Sequence, residues 1–281
     1  MTPPDRLSEA HERLIASVEA LTTGEDWQRF LTVARRFHSY SANNVLLIHA
    51  QRPEATRVAG YRTWQGLGRQ VRRGERGISI LAPCTYRRRD DADDDGDDDS
   101  PIRTVLRGFR VVHVFDVTQT EGDDLPDAPI AILDGDDPIL LRHQLAALIR
   151  AEGYSFTLGP LPMRWRGALG LTDFGAKAVT VRDDVPAAQQ AKTSAHELAH
   201  VLLHNPPHGL ARARAEVEAE SVAHIVCGAA GLVTDAYSFG YVASWSGGDT
   251  TVIRETAERA IACARRVLGA LGIEAAADRA A

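Results

Sequence analysis

Two histidines and a glutamate in the segment TSAHELAHVLLH carry the clearest chemistry in this chain. His196 and His200 stand four residues apart, and four residues advance about 400° around a helix axis. Both imidazoles therefore leave one face and can bind a single ion. Glu197 lies beside that face, where its carboxylate can reach a metal-bound water without ligating the metal. The donor set suits Zn2+, which lowers the pKa of a bound water from about 15.7 to about 7. Glu197 is then the expected catalytic residue, a general base that takes a proton as hydroxide attacks a carbonyl and returns it to the leaving amine. That is peptide-bond hydrolysis acting on an unknown protein substrate.

A catalytic zinc needs a third protein ligand and one open position. Glu216 starts the next expected helix, a separation from His200 that a helical hairpin can close. Glu220 lies four further on along the same stripe, either as the alternative ligand or as a carboxylate orienting a zinc-bound histidine from behind. Glu218 faces about 160° away from Glu216 and reads as a surface charge. His224 extends the stripe, and it joins Tyr237 and Tyr241 as a candidate oxyanion stabiliser, with ordinary core packing as the alternative for all three.

The elements that must position these residues follow from periodicity. The metal helix is expected to start after a cap at Asp183 or Asp184, with Pro186 in its first turn, and to run to His204 before Asn205, Pro206 and Pro207. A helix over 211–229 and a last one over 251–271 follow. Val179–Arg182 reads as a short strand that could hold an extended substrate by edge pairing. Upstream, Ile139, Leu140, Leu141, Leu145, Leu148 and Ile149 mark a helix ending at Gly153. The stretch EGDDLPDAPIAILDGDDP, rich in Asp, Gly and Pro, marks a boundary between a unit over 1–125 and one over 138–281.

The N-terminal unit begins with three helices. Apolar residues from Leu7 to Leu21 form the first, Trp27, Phe30, Leu31 and Ala34 the second, and Val45, Leu46 and Ile48 the third, which Ser41 caps and Pro53 bounds. Glycines then punctuate a turn-rich stretch before a strand over Gly77–Pro83 and one or two more over Arg103–Val117. Between them, DDADDDGDDD over Asp90–Asp99 forms an acidic, disordered insertion at about 89–100, placed at a hairpin tip.

Net charge is −6, which disguises a partition: Met1–Arg88 holds 14 Arg, no Lys and 8 acidic residues, 14 − 8 = +6. No apolar stretch approaches the roughly 18 residues of a membrane span. The N-terminus lacks the apolar core of a secretory signal, so a cytoplasmic location with no membrane partner is expected. Cys84, Cys227 and Cys263 are odd in number and lack CxxC spacing, which excludes a disulfide framework and a cysteine-based zinc knuckle.

Two resemblances join these observations. AKTSAHELAH followed by AEVEAESVA, within 183–223, resembles the ImmA/IrrE-type zinc metallopeptidases, whose HExxH precedes an ExxA motif that Glu216 and Ala219 match. That resemblance implies Glu216 as a zinc ligand. The blocks FLTVARRFHSYSANNVLLIHAQRP, VAGYRTWQGLGRQVRRGERGISILAP and VFDVTQTEG, over about 25–122, are similar to the single-stranded DNA-binding domain of ArdC-type antirestriction proteins. The aspartate insertion and the short spacer after His200 depart from that pattern.

Single strands are bound by basic grooves plus aromatic faces for base stacking. Phe37, His38, Tyr40, Tyr61 and Trp64, interleaved with Arg52, Arg57, Arg62, Arg69, Arg72 and Arg73, supply both ingredients, while Asn43, Asn44 and Gln51 could reach base edges or sugars. The expectation is an α+β protein. An N-terminal α/β single-stranded DNA-binding domain precedes a mostly helical, zincin-like metallopeptidase domain with a small sheet. Its function is that of a DNA-associated zinc peptidase or, alternatively, of a single-stranded DNA-binding antirestriction protein whose metal site is structural.

Overall fold

A computed structural model of the protein describes residues 3–89, 102–123, 138–162, 167–204, 211–232 and 245–273. The aspartate run, most of the expected 121–138 boundary, and Tyr237 and Tyr241 lie outside the described residues. Among the described residues the protein is mixed α+β, with eight α-helices and three small sheets.

The first three helices are α1 (Pro3–Glu19), α2 (Gly24–Arg36) and α3 (Ala42–Gln51). Thr23 and Asp26 start α2 as a capping box: the Asp26 amide donates to Thr23 Oγ1 at 3.1 Å and the Thr23 amide to Asp26 Oδ2 at 2.9 Å. Ser41 caps α3 as expected. A sheet in the order β1-β4-β3 packs behind them, built from β1 (Val58–Gly60), β3 (Ile78–Arg89) and β4 (Ile102–Asp116). β3 and β4 pair antiparallel as one long hairpin across the aspartate run, with a bulge between Cys84 and Thr85.

The free edge of β3 is closed by α3. Asn44 accepts from the Leu81 amide at 2.8 Å and donates to the Leu81 carbonyl at 2.9 Å; Gln51 does the same for Ser79, at 3.0 and 2.9 Å. Two side-chain amides thus stand in for a neighbouring strand and protect an edge that would otherwise recruit one. The glycine-rich stretch holds more structure than its turns suggest: a short helix α4 (Tyr61–Gly66), and β2 (Arg69–Val71) paired with β5 (Thr120–Gly122). Trp64, fully buried, anchors α4 by donating to the Phe115 carbonyl at 2.9 Å.

The C-terminal half opens with α5 (Pro138–Ala151) and a sheet in the order β6-β8-β7, from β6 (Ser155–Leu158), β7 (Gly170–Asp173) and β8 (Ala178–Val181). β8 is the central strand, paired parallel to β6 and antiparallel to β7. This corrects the expectation that the Val179 strand offers a pairing edge; the edges belong to β6 and β7, and β7 is the one that lines the cavity described below. Helices α6 (Ala187–Leu203), α7 (Arg212–Ala229) and α8 (Thr250–Ala270) complete the half, with α6 between α5 and α7, and α8 against α7. Pro186 occupies the N-cap of α6 without a side-chain cap bond. Asp184, an expected cap, instead pairs with Arg182, and Gln190 satisfies the Asp183 and Val185 carbonyls.

Apolar residues of the two halves pack in one continuous cluster. The buried Trp27 indole on α2 donates to Ser221 Oγ on α7 at 3.0 Å and meets Trp245 edge-on at 5.2 Å. Arg265 on α8 donates to the His38 and Tyr40 carbonyls. No described helix is long and apolar enough to cross a membrane.

Candidate metal centre

Helices α6 and α7 bring His196, His200 and Glu216 together, with one ligand atom from each lying within 4.8 Å of the others. The two Nε2 atoms are 3.0 Å apart, and Glu216 Oε2 lies 3.4 Å from that of His196 and 3.8 Å from that of His200. An ion bonded tetrahedrally at about 2.0–2.1 Å sets its ligand atoms about 3.3 Å apart, so these separations fit a divalent cation with little adjustment.

The surroundings explain why the three side chains converge. Glu220 Oε2 lies 3.1 Å from His196 Nδ1, behind the ring and away from the ligand cluster, while Lys192 Nζ pairs with Glu220 Oε1 at 2.7 Å. Glu220 therefore orients His196, and Glu216 faces the two Nε2 atoms. Burial alone would lower the His196 pKa, but hydrogen bonds to Glu216 and Glu220 and the charge of Glu197 outweigh it and raise it to about 10. The neighbouring His196 and His200 rings hold the Glu216 carboxyl well below its usual range. Burial pushes the Glu220 carboxyl up, yet His196 and Lys192 bring it below the ordinary value.

Glu197 points into a cavity of about 520 Å³, which it lines together with His196, His200, Glu216 and the β7 edge. Thr172 Oγ1 on β7 donates to Glu197 Oε2 at 2.7 Å and fixes its direction. Gly170 permits this approach: a Cβ there would stand 2.5 Å from Glu197 Oε1 and 2.6 Å from Thr193 Cγ2. Neither Thr172 nor Gly170 has a local sequence signal, because both act through a fold-level contact between β7 and α6.

Glu218 is the clearest departure from expectation. It is fully buried instead of being a surface charge, because α7 is covered on that side as well by α8. Its carboxylate takes 3.1 Å contacts from Arg214 Nε and His204 Nε2 and a 2.9 Å contact from Arg259 Nε. Burial raises its pKa, but His204 and Arg259 hold the group below the ordinary value. His224 is buried, does not line the cavity, and is lowered to about 4 by desolvation and by Arg35. This removes it as an oxyanion stabiliser in this arrangement.

The residues expected to contact DNA separate by burial. Phe37 and Trp64 are fully buried, so neither ring can stack a base. His38 is buried too, Tyr40 packs edge-on to Phe37, and Asn44 and Gln51 are engaged by β3. Asn43 is half-buried. Arg69 is tied to Thr120 and Gly122, Arg52 pairs with Glu54 at 2.9 Å, and Arg57 is half-buried. Tyr61, Arg62, Arg72 and Arg73 remain exposed, although Arg72 also pairs with Glu75 at 2.9 Å. On β4, Phe109 is 52% exposed beside the exposed Arg107 and Arg110, an aromatic and basic patch that the strand pattern alone did not single out.

An α+β chain with a net-basic stretch over Met1–Arg88 and two helices that gather His196, His200 and Glu216 is the class that fold and site define. Residues 5–115 match the family described as the N-terminal domain of the anti-restriction factor ArdC. Two crystal structures of the antirestriction protein ArdC from plasmid R388 share the fold. The metal-free form is 21% identical, covers 95% of this chain and 98% of its own, and has a TM-score of 0.54. The Mn(II)-bound form is 22% identical, covers 94% and 97%, and has a TM-score of 0.52. No curated protein matches by sequence.

Proposed function

We propose that this chain is an ArdC-type antirestriction protein that binds single-stranded DNA through its N-terminal half and holds a divalent cation at His196, His200 and Glu216. The match over 5–115 supports the antirestriction part, and the single observation carrying the metal part is the convergence of two Nε2 atoms and one carboxylate oxygen at 3.0–3.8 Å. Zinc fits the donor set; manganese is what the R388 relative is described as binding. Tyr61, Arg62, Arg72, Arg73 and the Phe109 surface supply the basic and aromatic contacts that a flexible strand needs.

A second reading, metal-dependent peptide hydrolysis of the ImmA/IrrE type, is favoured by the placement of Glu197. When bound, the ion would supply an activated water. Glu197, aimed by Thr172, would take its proton, and the free β7 edge would align an extended chain along the cavity. Oligonucleotide binding and peptide-library cleavage, each measured with and without chelator, separate the readings. DNA binding that survives chelation, with no cleavage, leaves the binding protein with a non-catalytic ion. Metal-dependent cleavage abolished by Glu197→Gln establishes the hydrolase. Loss of both activities in metal-loaded protein rejects the proposal.

A further inference from the structure

His200 is oriented differently from His196. Behind His196 stands a carboxylate, Glu220. Behind His200 stands another imidazole: His200 Nδ1 lies 2.9 Å from Nδ1 of His204, one turn further along α6, and His204 Nε2 lies 3.1 Å from Glu218 Oε2. Glu218 is 0% exposed and belongs to α7, and it is held by Arg214 on its own helix and Arg259 on α8. Arg259 also donates to the Leu203 carbonyl at 3.0 Å, which ties the arrangement to the end of α6.

The order of protons along this chain is determined at its buried end. An ionised carboxylate only accepts, and a neutral imidazole has one donor and one acceptor nitrogen. Facing Glu218, His204 must carry its proton on Nε2, which leaves Nδ1 as an acceptor. His200 must then place its own proton on Nδ1 to meet that acceptor, and its Nε2 lone pair is left pointing at Glu216 and His196. We infer that His204 and Glu218 are positioning residues that lock His200 in the Nε2-ligating tautomer, so that a carboxylate buried between α7 and α8 sets part of the affinity of the metal centre. This inference rests on the proposed metal centre.

The test uses the full chain and zinc, a diamagnetic probe. Loss of an outer partner of a metal-bound histidine weakens binding about 10–100-fold, which is the expected loss for His204→Phe in a chelator-competition titration. His204→Gln, whose amide can both accept from His200 and donate to Glu218, should recover affinity to within about threefold of wild type. Nitrogen-15 spectra of the imidazoles should show His200 protonated at Nδ1 and metallated at Nε2 in the zinc-loaded wild type; with zinc chelated away, neutral His200 should keep its proton on Nδ1 in the wild type and divide it between the two nitrogens in Glu218→Gln. A packing role alone would move the melting temperature of the chelated protein without moving the His200 tautomer. Zinc affinity of His204→Phe within about twofold of wild type overturns the inference, as does a wild-type His200 protonated at Nε2. If His204→Phe does not fold, the wild-type spectrum still decides. Wild-type protein that binds no zinc would instead reject the metal centre itself.

Discussion

The contact between Trp27 and Ser221 ties the helix that carries Glu216 to the N-terminal half, and its strength can be worked out from the structure. Both residues are fully buried, and the indole N–H donates to Ser221 Oγ at 3.0 Å. Ser221→Ala removes the acceptor and leaves a buried N–H without a partner, a cost of about 1–3 kcal/mol. At about 2–4 °C per kcal/mol for a chain of this size, the melting temperature should fall by roughly 2–12 °C. Trp27→Phe removes the donor together with part of the ring, and so costs more by itself. In the double variant the orphaned N–H no longer exists, so the two losses should fall short of their sum by about 1 kcal/mol. Urea denaturation of the four proteins measures this coupling. Additivity within about 0.3 kcal/mol would show that the bond does not link the two halves energetically.

Three further outcomes follow from single sites. Gly170→Ala forces a Cβ against Glu197 and Thr193, so it should cost about 1–3 kcal/mol of stability and displace Glu197 while leaving metal affinity near wild type; a crystal structure with Glu197 still on Thr172 would contradict this. Burial would raise the Asp116 pKa, but hydrogen bonds from Thr118, Thr56 and Arg57 hold it below the ordinary value. Its contribution is therefore complete above the unfolded carboxyl range, near pH 4, and is lost as pH falls through the lower folded value. Asp116→Asn should flatten that acid limb of the stability profile in denaturation curves. Replacing Arg62, Arg72 and Arg73 with Ala should weaken single-stranded DNA binding and reduce the slope of log affinity against log salt by about 2, as read by fluorescence anisotropy; an unchanged slope would place the phosphate contacts elsewhere.

Features governed by local rules could be read directly from the chain. The Ser41 cap and the four-residue histidine spacing depend on neighbours within one or two turns, and each appears in the fold where the sequence indicates; the Thr23–Asp26 capping box obeys an equally local rule but emerged only from the structure. Residues whose role depends on what packs against them were harder to place. Phe37 and Trp64 have the composition of a stacking surface, yet burial of their large apolar area draws them into the core. Glu218 points away from the side of α7 that carries Glu216, as helix geometry requires, but the approach of α8 with Arg259 turns that direction inward. Thr172 and Gly170 come from a strand that meets α6 only in the folded chain. His204 continues the HELAH stripe at the same spacing, so its place was available to the periodicity argument, although its connection to Glu218 was not.

Everything proposed for the C-terminal half depends on one ion held between α6 and α7. Protein stripped with chelator and titrated with zinc by calorimetry measures this directly. The account predicts one tight site per chain, abolished by His196→Ala and severely weakened by Glu216→Ala, with Glu220→Ala having a smaller effect because its carboxylate sits behind the ring. Absence of binding, or a site that survives loss of Glu216 but disappears with Glu220, would contradict it.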